Sequence, residues 1–157
     1  MVEERDGNRD GARRCGYVAI IGAPNAGKST LLNQLVGMKL SIVSRKVQTT
    51  RMRVLGIKMH EQAQIIFVDT PGIFRPKRRL DRAMVAAAFG AAEDADIIVL
   101  LVDAAATKAA LDPDGDTQRI IEALKARKTR TILALNKVDL ISPAELLPLA
   151  DAMRQAH

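Results

Sequence analysis

The run Tyr17-Val-Ala-Ile-Ile21 leads straight into Gly22-Ala-Pro-Asn-Ala-Gly-Lys-Ser29, and a helix-forming stretch follows to Val36. An apolar run of that length bounded by Gly and Pro reads as a buried strand, and Gly37 is a natural helix end. A strand that turns into a helix through two glycines constrains the chain to an α/β architecture. The spacing satisfies G-x-x-x-x-G-K-[ST], a loop whose backbone N–H groups close around phosphate oxygens at a helix N-terminus. In such a loop Lys28 reaches the β- and γ-phosphates as a point charge, and the Ser29 hydroxyl ligates Mg²⁺.

The rest of the chain alternates strands and helices. Strands are expected near 53–59 and 64–69, joined by a short polar connection into an antiparallel hairpin. Basic or Pro/Gly-containing loops occupy 38–51 and 70–79. An alanine-rich helix spans 83–92, and the apolar run 96–103 reads as a strand buried on both faces. An amphipathic helix over 117–127 turns Ile120, Ile121 and Leu124 inward, and the next strand is 131–135. Ser142-Pro-Ala-Glu145 reads as a capping box that opens a last helix. This order implies a mostly parallel sheet with one antiparallel hairpin strand and helices on both faces. Residues 1–16 lack periodicity and are expected to be a flexible extension, leaving 17–157 as the folded domain.

Composition narrows the class. The 157 residues are 48% hydrophobic and 27% charged, a globular rather than a disordered balance. The longest apolar run is far shorter than a bilayer crossing, and the acidic first ten residues do not form a secretory signal. Cys15 is alone, which excludes an internal disulfide framework and a cysteine zinc site and suits a reducing cytosol. His60 and His157 have no partner visible in the sequence.

The net charge of +6 is unevenly placed. From Lys28 to Arg82 there are twelve bases and three acids, whereas 83–157 holds eight bases and eleven acids. Arg75, Lys77, Arg78, Arg79 and Arg82 cluster in the second loop, with Arg45, Lys46, Arg51 and Arg53 in or beside the first. A polyanionic partner facing that half fits this bias, and so does an ordinary solvated surface. With only Tyr17, Phe67, Phe74 and Phe89 as aromatics, no base-stacking platform is visible.

Two further motifs complete the chemistry. Asp69-Thr-Pro-Gly72 lies at a strand end forty residues after the phosphate loop. There Asp69 can hold Mg²⁺ through water, and Gly72 lets its N–H approach a γ-phosphate. Asn136-Lys-Val-Asp139 follows the 131–135 strand. Asp139 can accept from guanine N1–H and its exocyclic N2 amine together. Adenine would leave that carboxylate unpaired, a mismatch worth on the order of 10⁴-fold in selectivity. Asn136 can tie this motif to the phosphate loop, and the Lys137 stem can cover a ring face.

The three motifs in this order resemble a three-layer, Ras-like P-loop GTPase. The phosphate-loop form, the segment Ser41-Ile-Val-Ser-Arg-Lys-Val-Gln-Thr-Thr-Arg51 and Val68-Asp-Thr-Pro-Gly-Ile73 closely resemble Era-type GTPases, which act in small ribosomal subunit assembly. The resemblance covers 17–157. It implies a GTP/GDP site made by Gly22, Ala23, Pro24, Asn25, Ala26, Gly27, Lys28, Ser29, Thr30, Thr50, Asp69, Thr70, Pro71, Gly72, Ile73, Asn136, Lys137, Val138 and Asp139. It makes Thr50, with Thr49 as the alternative, a magnesium ligand beside Ser29 and Asp69. Catalysis would then fall to Asn25, Lys28, Thr50 and Gly72.

Ras-type enzymes carry Gln where this chain has Ile73, and a hydrophobic side chain cannot orient water. The resemblance implies that K⁺, with Asn25 as its side-chain ligand, takes the place of an arginine finger. It also implies ribosomal RNA and the small subunit as partners, a cytoplasmic protein peripheral to the inner face of the membrane, and a monomer. Era-type proteins carry a further strand and helix and an RNA-binding KH domain. Neither follows His157, so a truncated domain with an exposed 131–135 edge strand is expected. A tRNA-modification or tandem-domain GTPase and a non-hydrolysing nucleotide-binding module remain as alternatives, while Asn136-Lys-Val-Asp139 disfavours an ATP kinase.

Overall fold

A computed structural model describes residues 14–43, 53–76, 78–107, 115–126 and 129–156. The elements run β1 (Arg14–Ile21), α1 (Lys28–Val36), β2 (Val54–His60), β3 (Ala63–Asp69), α2 (Arg79–Glu93), β4 (Ile97–Asp103), α3 (Ala104–Thr107), α4 (Asp116–Lys125), β5 (Arg130–Asn136), a 3₁₀ turn over Val138–Leu140, and α5 (Pro143–Ala156). They form one five-stranded sheet ordered β2-β3-β1-β4-β5. β1 pairs in parallel with β3 and β4, and β4 pairs in parallel with β5. β2 is the one antiparallel strand among those described, as a hairpin demands.

Alternation along β1 divides the core. Ile20 packs with Leu32 of α1 and Phe67 of β3 on one face. Ala19 and Ile21 face the other way, into a larger cluster with Ala88 and Ala91 of α2, Ile120 and Ile121 of α4, and Leu149 and Met153 of α5. Helices therefore cover both faces, and the parallel strands aim their carboxyl ends at one rim of the sheet. β5 lies at the sheet edge, with Ile132 46% exposed.

Several boundaries move. β1 starts at Arg14, not Tyr17, because the hairpin offers partners for three more residues. Arg14 registers with Ala63 and Cys15 with Gln64, and the Arg14 N–H donates to the Gln62 carbonyl at 3.2 Å. Residues 14–16 of the expected extension are thus part of the sheet, and Cys15 lies inside the strand. Residues 1–13 lie outside the described residues. α2 begins at Arg79 rather than 83 because the Asp81 carboxylate accepts the Arg78 N–H at 2.9 Å, capping the earlier start. The short α3 was not anticipated; Asp103 Oδ1 caps it by accepting the Ala106 N–H at 3.0 Å. The capping box at α5 forms as expected, with Glu145 accepting from both the Ser142 N–H and hydroxyl at 3.0 and 2.7 Å. No helix among the described residues is long and apolar enough to cross a membrane.

Candidate functional site

The loops leaving β1, β3 and β5 converge at the rim of carboxyl ends, where open parallel sheets place ligands. The first wraps around Lys28. Asn25 and Gly27 adopt left-handed backbone, with φ of 61° and 101°, which bends the chain under the α1 N-terminus. At Gly27 a Cβ would also collide with the Asn136 amide, so space and conformation both demand glycine. Lys28 is 6% exposed, and its Nζ donates to the carbonyls of Gly22 at 3.1 Å and Ala23 at 2.8 Å. Loss of water around the ammonium lowers its pKa from 10.5 to about 8, against the opposing attraction of Asp69. The loop therefore holds a costly buried cation, and a phosphate oxygen would relieve that cost. Asn25 and Thr30 are exposed, while Ala26 is buried beneath the loop.

The second loop supplies the carboxylate. Asp69, at the end of β3, is fully buried, and its Oδ2 accepts the hydroxyls of Ser29 at 2.7 Å and Ser41 at 2.8 Å. A carboxylate and a hydroxyl this close form a hard-oxygen donor set that fits Mg²⁺. Thr70 Oγ1 donates to the Ile20 carbonyl at 2.8 Å and Pro71 is buried, so the turn is pinned under β1. Gly72 lies against the phosphate loop, where a Cβ would come within 2.9 Å of the Pro24 backbone. The Ile73 N–H donates to the Gly22 carbonyl at 3.1 Å, and its side chain is buried in the larger core cluster. Ile73 is thus an anchor for the loop.

The third loop closes the site from β5. Asn136 Nδ2 donates to the Ala26 carbonyl at 2.8 Å, the tie between base loop and phosphate loop that the motif implies. Lys137 has a left-handed backbone (φ 58°), and its Nζ pairs with Asp103 Oδ2 at 2.6 Å. Val138, Asp139 and Leu140 are exposed. Asp139 is accordingly not a buried carboxylate in the ligand-free chain. No described element covers it.

Thr50, Thr49, Arg45, Lys46, Arg51 and Lys77 lie outside the described residues. Arg75, Arg78, Arg79 and Arg82 are exposed beside the second loop. Arg53 does not join them. Its guanidinium donates to the Ala87 carbonyl at 3.1 Å and meets Asp94 at 3.3 Å, at the C-terminal end of α2. Sequence reasoning also missed Ser41, Asn33 and Asp103 as neighbours of the site. None carries a local signal, since each meets its partner only through the fold.

Residues 17–137 match the protein family described as 50S ribosome-binding GTPase. The chain is 56% identical over 142 residues to GTPase Era of Sinorhizobium medicae and 52% identical over 155 residues to GTPase Era of Bradyrhizobium diazoefficiens. Those alignments cover 90% and 99% of this chain but 44% and 49% of the relatives, so the chain spans about half their length. Among solved structures, it is similar to Era in complex with MgGDPNP and nucleotides 1506–1542 of 16S ribosomal RNA, at 46% identity and a TM-score of 0.82 over 92% of this chain and 48% of that one. An Aquifex aeolicus Era variant bound to GDP.AlF4- is similar at 46% identity and a TM-score of 0.80, with the same coverage of both chains.

Proposed function

The chain belongs to the 50S ribosome-binding GTPase family and corresponds to the G-domain portion of an Era-type GTPase, and from that premise we propose that it binds GTP and GDP with Mg²⁺ and hydrolyses GTP as a switch in small ribosomal subunit assembly. The observation that carries this reading is the Asn136 Nδ2–Ala26 carbonyl bond at 2.8 Å. It joins a guanine-type loop to a phosphate loop across 110 residues of chain.

The residues divide the work. Lys28 exchanges its two loop carbonyls for phosphate oxygens, so binding replaces neutral acceptors with charged ones. The backbone N–H groups of the phosphate loop neutralise charge as the γ-phosphoryl departs, and the Gly72 backbone lies at the same loop. Ser29, Asp69 and Thr50 would hold Mg²⁺, which would supply positive charge to the transferring group when bound. Asp139 reads the base edge, and the Lys137 stem covers a ring face. With Ile73 anchored in the core, the chain itself places no water-orienting side chain after Gly72. The exposed Asn25 would serve as a ligand for K⁺, which supplies the missing positive charge.

Whole-protein partners follow the same reading: ribosomal RNA and the small subunit, met partly by the exposed arginines beside the second loop. A cytoplasmic, monomeric protein with peripheral contact to the inner membrane face completes the proposal, supported by the family resemblance. The test is phosphate release from GTP with Mg²⁺ in K⁺ against Na⁺, with GTP and ATP competed for binding. Turnover is expected to be slow and faster in K⁺. GTP bound without phosphate released would make the chain a binding module, and ATP outcompeting GTP would overturn the reading.

A further inference from the structure

α1 grips the Asp69 carboxylate twice from one face. Ser29 and Asn33 are four residues apart and therefore neighbours along that helix. Ser29 reaches Asp69 Oδ2 directly at 2.7 Å. Asn33 reaches it through an intermediary. Its Oδ1 accepts the N–H groups of Leu40 and Ser41 at 2.8 and 2.9 Å, and its Nδ2 donates to the Ser41 carbonyl at 2.9 Å. Three bonds fix the Leu40–Ser41 backbone, two of them at Ser41, and its hydroxyl then lands on the same Oδ2 at 2.8 Å. Ser41 is 3% exposed and Asp69 fully buried, so the bond between them is shielded from bulk water.

We propose that Ser41, clamped by Asn33, is a positioning residue for the magnesium-binding carboxylate. The inference rests on the nucleotide reading above and assigns Ser41 a task nothing in the motifs implies. A carboxylate that accepts two hydroxyls on one oxygen has its plane fixed before the cation arrives. Hydrogen-bond partners that orient a metal-binding carboxylate sustain metal affinity, and losing one costs about 10- to 100-fold. Ser41 also stands three residues before the segment 44–52 that contains Thr50.

The experiment measures affinity for fluorescently labelled GDP on the full chain, in EDTA and across a Mg²⁺ titration. Ser41→Ala is expected to raise the Mg²⁺ needed for half-maximal tightening about tenfold, while GDP affinity in EDTA matches the parent. Ser41→Thr, which keeps the hydroxyl, restores the parent curve. Asn33→Asp keeps the acceptor for both N–H groups but loses the donor to the Ser41 carbonyl, and it falls between the two. It also serves as the reading if Ser41→Ala does not fold. An unshifted Mg²⁺ curve in Ser41→Ala, an equal loss of GDP affinity with and without Mg²⁺, or a Thr variant as defective as Ala overturns the proposal. A parent chain that binds no GDP overturns the functional reading itself, which is a separate outcome.

Discussion

The phosphate side and the base side of this site are prepared to different degrees. On the phosphate side Lys28, Asp69 and Pro71 are buried, and hydrogen bonds hold the loop in place with no ligand present. On the base side Val138, Asp139 and Leu140 are exposed, and the loop is held from below by Asn136 and Lys137. A buried cation costs stability, so the phosphate side is preorganised at the fold's expense and recovers the cost on binding. The open base side costs little to maintain, and its selectivity is expressed only in the complex. Affinity should therefore reside on one side and discrimination on the other.

The largest test removes the buried charge while keeping its bulk. Lys28→Met is expected to lose on the order of 10³-fold in GDP affinity, from at least two charge-assisted bonds. Its ligand-free melting temperature should hold or rise, because a charge held at a pKa of about 8 rather than 10.5 costs about 3 kcal/mol when protonated. A melting temperature that falls sharply would break the comparison. Asp139→Asn should lower the preference for GTP over ATP by about 100-fold in competition binding, with no change in melting temperature. A destabilised Asp139→Asn would mean that the base side is preorganised too.

The pH dependence separates the two sides without mutation. Lys28 has a folded pKa below its unfolded value, so the folded chain binds fewer protons above pH 8. Ligand-free stability should therefore be lowest below about pH 8, rise between about 8 and 10.5, and level off beyond. Nucleotide affinity should move the opposite way, falling about tenfold per pH unit above 8, with proton uptake measurable by calorimetry in buffers of different ionisation enthalpy. Selectivity between GTP and ATP should stay flat over that window. The smallest effect sharpens the boundary. Asn136→Ala, which cuts the bond to Ala26, should cost about 1 kcal/mol of stability and lower GTP and inorganic pyrophosphate affinity unequally, GTP more.

The features legible in sequence are those whose cause is local. The strand before Gly22, the glycines, the α5 capping box and the inward face of α4 follow from neighbours within a few residues, and all stand as expected. The Asn136 tie was also legible, because motif order fixes it. Most of the misses have a non-local cause, the locally capped starts of α2 and α3 being exceptions. β1 reaches back to Arg14 because a hairpin fifty residues later offers it partners. Arg53 lies beside the first loop as expected, but its partners on α2, the Ala87 carbonyl and Asp94, were not legible. Asp139 is exposed because no described element packs over it. Ser41 sits in a polar run that promises only a loop, and its role depends on Asn33 and Asp69 arriving from two other elements.

The strand order has a consequence for synthesis. The central strand β1 is made first; β3 and then β4 flank it on opposite sides, and β5 is added beyond β4. The phosphate loop leaves that first strand, yet the bond to Ala26 waits for a residue 110 positions later. A chain emerging from the amino end can therefore assemble the sheet's centre long before it owns a complete site. On the nucleotide reading, competence to hold nucleotide would come only once β5 has been made, and capture would mark the moment when all five described strands are in place.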